Sequence, residues 1–214
     1  MKSSIHFSAM IRHSMWTRWI AGVLAWLEWV GWQLKGGRRT SSAMPSLEKR
    51  RELLYIMKTG GLNTLIETGT FLGDTSFYFA CRGFQVVTIE VEPTLARLAR
   101  NRFRNTPNVR PLEGDSGALM PDIISGLMQP ALFWLDGHYS GGDTGKGELE
   151  TPIVAEVRAI LALAPRNSIV VVDDARCFGV LPDYPSLDSF LTSLRNGGVV
   201  DVVVSNDSIR FSVP

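Results

Sequence analysis

The sequence predicts a doubly wound α/β domain, a mostly parallel seven-stranded sheet with helices on both faces and an antiparallel hairpin at its C-terminal end. Three observations predict it. From Pro45 onward, segments with helical spacing alternate with short strand-like runs. Those runs are largely apolar, as strands covered on both faces must be. The first five of them finish on, or within three residues of, an acid: Glu67, Glu90, Asp115, Asp136, and the pair Asp173 and Asp174. In such sheets ligands sit beyond the carboxyl ends of the strands, where the strand order reverses. Acids repeated at strand ends therefore mark a candidate site.

Each element has its own warrant. Ser46 can cap a helix running to about residue 58, closed by Gly60 and Gly61. A short apolar strand at 63–67 leads through a glycine-containing turn to a helix at 74–82, ended by Gly83. Residues 85–90 form a second strand rich in Val and Ile, and Pro93 opens a basic amphipathic helix to about residue 105. A third strand at 109–112 precedes a helix at 116–128, and 131–135 is a fully apolar fourth strand. Thr151 and Pro152 make an N-cap and N1 pair for a helix to residue 163. A fifth strand at 168–172 and a helix at 186–195 follow. Residues 199–204, a Ser205-Asn206-Asp207 turn and residues 208–213 read as the hairpin.

This domain, 46–214, stands behind a leader of different character. Residues 1–45 hold five of the six tryptophans and six basic side chains against one acid, Glu28, a local charge of +5 that leaves −4 on the rest. Sixteen mostly apolar residues between Arg18 and Lys35 would span about 24 Å as a helix, short of the roughly 30 Å hydrocarbon core. Glu28 in their midst argues against both a spanning helix and a cleaved signal peptide. Tryptophans flanked by arginines suit peripheral membrane contact through residues 16–34. The same stripe suits packing on the domain or on a second copy, giving a homo-oligomer. A leader without a folded role, ahead of a start at Met44, is the remaining reading.

Composition narrows the function. The chain has 214 residues, 45% hydrophobic and 20% charged, with 22 basic and 21 acidic side chains for a net charge of +1. This is a globular composition, and its charge balance disfavours a nucleic-acid binder. Cys81 and Cys177 lack metal-type spacing; one disulfide is conceivable, but two buried thiols in a cytoplasmic protein is the plainer reading.

At the strand ends, Gly69 and Gly73 would let the backbone turn tightly and approach a ligand, with a helix N-terminus facing any anion. Phe71 departs from the Gly-x-Gly-x-x-Gly spacing of dinucleotide sites. Glu90 can take the hydroxyls of a ribose, so turn and acid together fit a nucleoside-containing cofactor, NAD or S-adenosylmethionine. Asp115, in Gly114-Asp115-Ser116, suits an adenine amino group or a helix N-cap equally. Asp136, Asp173 and Asp174, converging at neighbouring strand ends, would repel one another unless protonated or bridged by a cation. Oxygen-only ligands favour Mg²⁺ or a similar hard ion; the alternative is that they point apart into solvent. His138 is the domain's one histidine and lies two residues past Asp136, which makes it a candidate general base. Four glycines between Tyr139 and Glu150 suit a lid.

With these residues in hand, the pattern resembles the class I S-adenosylmethionine-dependent methyltransferases, with their Rossmann-like sheet. It looks most like the cation-dependent O-methyltransferases of the catechol type and the macrolide and aminocoumarin sugar type. The resemblance runs from about Leu62 to Asp174. Glu67-Thr68-Gly69-Thr70-Phe71-Leu72-Gly73 looks like the first motif of that family, which often has an aromatic in place of the middle glycine, and Thr88-Ile89-Glu90 resembles its ribose-binding strand end. The resemblance implies that Gly69 and Gly73 pass close to the methionine part of the cofactor and that Thr75 holds its carboxylate. It further implies that Glu90 holds the ribose, Asp115 with Ser116 the adenine, and Asp136, Asp173 and Asp174 Mg²⁺. His138 falls where the sugar enzymes carry a catalytic acid or base, usually Asp. The run from Asp136 to Gly142 departs from the catechol type, so a catechol acceptor is not implied, while the glycine-rich segment with Lys146, Glu148 and Glu150 suits a small polar, hydroxylated molecule such as a sugar.

Two other classes compete. A nicotinamide-dependent oxidoreductase also places an acid on ribose, but Phe71 and the metal-like acid cluster stand against it. A non-catalytic, membrane-associated protein that keeps a cofactor fold is opposed by the full set of strand-end acids. A metal-dependent oxygenase would need more than the single nearby histidine.

Overall fold

The computed structural model describes residues 30, 46–137, 152–181 and 183–214. The leader's expected membrane or packing role, His138 and the glycine-rich segment after it lie outside these residues, Val30 aside. Among the described residues no helix is long and apolar enough to cross a membrane.

The elements follow the expected alternation: α1 (Ser46–Thr59), β1 (Thr64–Thr68), α2 (Asp74–Ala80), β2 (Gln85–Glu90), α3 (Pro93–Phe103), β3 (Val109–Glu113), α4 (Ser116–Ser125), β4 (Leu132–Leu135), α5 (Ile153–Leu163), β5 (Ile169–Val172), a short 3₁₀ turn (Ala175–Cys177), α6 (Leu187–Asn196), β6 (Val202–Ser205) and β7 (Ser208–Ser212). They build one seven-stranded sheet in the order β3-β2-β1-β4-β5-β7-β6. The first five strands run parallel, and β7 enters antiparallel between β5 and β6. β1 pairs with both β2 and β4, Thr68 lying opposite Ile89 on one side and Leu135 on the other. The chain reverses direction of growth there, so the β1–β4 boundary is the switch point where a doubly wound sheet opens a ligand crevice.

Apolar strands are required because each face of the sheet carries its own core. Ile66, Phe133, Leu135, Val170 and Val172 pack on the face that also buries Met120, Ile160, Phe190 and Leu194 of α4, α5 and α6. Their alternates Leu65, Leu132, Trp134 and Val171 pack on the other face with Leu53, Met57, Phe79, Ala99 and Phe103 of α1, α2 and α3. The period of two along each strand thus feeds two hydrophobic layers. A single apolar-to-charged change at any of these positions would bury an unpaired charge.

Side-chain caps fix several helix starts. Glu92 accepts from Leu95 N at 2.7 Å ahead of Pro93, and Ser186 accepts from Ser189 N at 3.2 Å. α4 stops at Ser125, three residues before the expected end, because Gly126 caps it. Pro152 takes the N-cap of α5 rather than N1. Both cysteines are free, but Cys81 is exposed while Cys177 is buried. Cys81 was expected to be buried; it instead caps α2 one residue beyond the buried Phe79–Ala80 turn.

Candidate functional site

The β1–α2 turn is drawn tightly over the switch point. Gly69 has φ +80°, and a Cβ there would lie 2.6 Å from the Asp136 carbonyl oxygen, so only glycine lets β1 and β4 close on each other. At Gly73, φ +75°, a Cβ would meet the Phe103 ring at 2.8 Å. Between them Phe71 holds a positive φ of 48° and presents its ring half-exposed. Its backbone N–H donates to Glu90 Oε2 at 2.8 Å, and Glu92 N–H donates to Glu90 Oε1 at 3.0 Å. The turn and the end of β2 are thereby one unit, with a carboxylate gripped by two amides. Burial raises the Glu90 carboxyl above its ordinary value against these two bonds. Gly69 and Phe71 are thus brought to the end of β2 beside Glu90, while Gly73 packs against Phe103. Thr75 stands in the first turn of α2.

Beneath the turn, Glu67 is almost wholly buried, and its Oε2 accepts from the hydroxyls of Ser76 and of Thr88, the latter at 2.8 Å. Burial pushes its carboxyl up to about 7. Glu67 therefore locks β1, β2 and α2 from below rather than facing the crevice. Asp115 caps α4, Oδ1 accepting from Ala118 N at 2.9 Å, and its neighbour Ser116 is buried. Of the two roles open to Asp115, the N-cap is thus filled.

On the opposite face of the sheet Glu156 of α5 is buried, and burial pushes its carboxyl up to about 7 against the nearby Ser116 and Thr68 hydroxyls. Among the described residues neither Glu156 Oε1 nor Thr68 Oγ1 has a well-formed hydrogen bond. Glu156 also lines a small cavity with Leu135, Gly137, Asp173 and Tyr184.

Asp136, Asp173 and Asp174 converge. Each offers a carboxylate oxygen, and the three oxygens lie within 4.8 Å of one another. Backbone geometry places them: Asp173 N–H donates to Leu135 O at 3.0 Å, which aligns the ends of β4 and β5. Asp174 turns into the left-handed region at φ 54°, and its N–H donates to Asp173 Oδ1 at 2.8 Å. Burial first, and then the Asp173 charge, raises the Asp136 carboxyl well above its ordinary value. Burial also raises Asp173, with Lys49 pulling the other way.

Protein cations answer this charge. Lys49, in the first turn of α1, donates its ammonium to Asp173 Oδ2 and stands 3.5 Å from Asp174 Oδ1. Arg176 donates to the same Asp174 Oδ1 at 2.5 Å and also pairs with Asp207 in the β6–β7 turn. Burial lowers the Lys49 ammonium, but the Asp173 and Asp136 charges raise it further. The hard oxygen donors fit a divalent ion such as Mg²⁺, and a positive charge already sits against them in the form of Lys49.

Lys49, Ser76, Glu156 and Arg176 belong to the site and its supports, yet sequence reasoning did not single them out. Only Arg176, two residues past Asp174, carried a local signal.

No family model matches the chain, and no curated protein matches it in sequence. Solved structures do match its fold. An S-adenosylhomocysteine-bound methyltransferase of Podospora anserina, PaMTH1, is 17% identical at a TM-score of 0.58, over 100% of this chain and 96% of that one. The O-methyltransferase TomG of Streptomyces achromogenes, involved in tomaymycin synthesis and bound to S-adenosylmethionine, is 18% identical at a TM-score of 0.56, over 85% of both chains. An O-methyltransferase of Bacillus cereus with bound S-adenosylhomocysteine is 18% identical at a TM-score of 0.54, over 85% of this chain and 87% of that one. The strand order, the terminal hairpin and these likenesses together give the chain the Rossmann-like fold of the class I methyltransferases.

Proposed function

We propose that this protein is an S-adenosylmethionine-dependent methyltransferase that methylates a hydroxyl of a small polar molecule, such as a sugar, with a divalent cation at Asp136, Asp173 and Asp174. The observation that carries the reading is the pairing, at one switch point, of the glycine turn locked to Glu90 with a convergent acid triad. The solved structures that share the fold and hold this cofactor or its demethylated product support it.

S-adenosylmethionine, when bound, supplies an electrophilic methyl group, and a divalent cation supplies Lewis acidity that lowers the pKa of a hydroxyl. The chain's residues do the rest. Glu90 retains lone pairs on both oxygens for ribose hydroxyls, and Gly69 brings bare backbone close to the methionine part. Ser116 and Asp115 border the adenine region. Asp136, Asp173 and Asp174 would hold the metal, and His138 would take the proton of the acceptor hydroxyl. Positioning and preorganised charge supply most of the acceleration.

Thermal denaturation of the full chain with S-adenosylhomocysteine or NAD, each with Mg²⁺ or chelator, tests this, since a ligand of the folded state raises stability by an amount that grows with the logarithm of its concentration over Kd. A rise with the homocysteine nucleoside, increased by Mg²⁺, is expected. A rise with NAD alone would replace the reading with an oxidoreductase, and no rise with either would leave a non-catalytic fold.

A further inference from the structure

We infer that Lys49 is a built-in counter-ion that competes with the divalent cation for Asp173 and Asp174, so that this chain's metal affinity is set by its first helix. The inference rests on the metal reading of the acid triad given above. Three carboxylates whose oxygens lie within 4.8 Å cannot all stay ionised without positive charge among them. Lys49 provides it, bonded to Asp173 and 3.5 Å from Asp174. Arg176 contacts Asp174 as well, but its guanidinium is also tied to Asp207 through the hairpin turn. Lys49 has no such second anchor among the described ion pairs.

The two cations therefore differ in what a metal would ask of them. A metal bound to Asp173 Oδ2 removes the acceptor that Lys49 uses, and an ammonium left at that distance would repel it. α1 itself is pinned by Leu53, Ile56 and Met57, all at most 3% exposed. The adjustment falls to the Lys49 side chain, which at 18% exposed against 2% for Asp173 is the less buried of the two and has the longer, more flexible stem. Without a metal, the ammonium keeps the acids from being buried unpaired; with one, it swings out, and that displacement weakens metal binding.

Mn²⁺ binding to chelator-treated full-length protein, followed by the paramagnetic signal of free Mn²⁺, tests this in wild type, Lys49→Gln, Lys49→Arg and Asp173→Asn. Lys49→Gln is expected to bind about tenfold tighter or more, with Lys49→Arg close to wild type and Asp173→Asn much weaker. Equal or weaker binding by Lys49→Gln, with Asp173→Asn still defective, would overturn the role of Lys49 and leave the metal site standing. Absence of binding throughout, or binding indifferent to Asp173→Asn, would instead remove the metal reading on which the inference rests. Melting curves guard against a misfolded variant. Lys49→Gln should melt lower than wild type in chelator and gain more from Mn²⁺; an equal gain in both proteins would refute the competition.

Discussion

Glu67 offers a test that separates support of the site from binding at it. Its carboxyl is buried under the β1–α2 turn, and burial raises it from the ordinary 4.5 to about 7. Between these values the folded chain holds a proton that the unfolded chain has released, so stability falls as pH rises through that window. At 1.36 kcal/mol per pH unit the full effect is about 3 kcal/mol, present below pH 4.5 and lost above about pH 7. Glu67→Gln keeps a neutral acceptor for the Ser76 and Thr88 hydroxyls and cannot ionise. Urea denaturation from pH 4.5 to about pH 8 should show the variant gaining about 3 kcal/mol on wild type across the range. Glu156, pushed up in the same way, is common to both proteins and cancels in the difference. Parallel stability curves, or a variant that loses ground as pH rises, would refute the reasoning, because Glu67 would then ionise in place at no cost.

Three further outcomes are expected. Gly69→Ala would force a Cβ to within 2.6 Å of the Asp136 carbonyl at φ +80°, so denaturation should show a loss of at least about 2 kcal/mol, and calorimetry weaker S-adenosylhomocysteine binding. Glu90→Gln, which gives up a charged acceptor for the ribose, should weaken S-adenosylhomocysteine about tenfold or more by calorimetry, and an unchanged affinity would move the ribose elsewhere. His138→Ala should lower methyl transfer about a hundredfold in single-turnover assays while leaving cofactor affinity intact; a large loss of that affinity would contradict its role as base.

The fold was legible because its strands are buried on both faces and its turns carry the residues their backbones need. Leu132-Phe133-Trp134-Leu135 has to be a strand within a covered sheet, and Asn206-Asp207, both with positive φ, makes a tight hairpin. The acid triad was legible for the same reason: in a parallel sheet, residues just beyond the strands meet at one edge. The boundaries of α4 and α5 were less so, since a single glycine or proline moves a helix end by a few residues. Glu67 stood in a binding motif, yet its neighbours face it inward, and only the placement of Ser76 and Thr88 reveals that. Lys49 was invisible. Its partner Asp173 lies 124 residues away, and on an amphipathic helix one lysine looks like any other until the packing brings it to the strand ends.

The β6–β7 turn has a consequence for anyone who would engineer this chain. A hairpin tip is ordinarily a safe place for a tag, a graft or a circular permutation. Here Asp207 grips Arg176 through side chain and backbone, and Asn206 donates to Glu52 of α1 at 3.1 Å. The tip works as a buckle between the helix that carries Lys49 and the loop that carries Asp174. An insertion there would leave the sheet paired and unfasten the acid cluster, whereas the outer strand β6, with Val203 and Val204 exposed, has far fewer ties to the site and is the better place to alter.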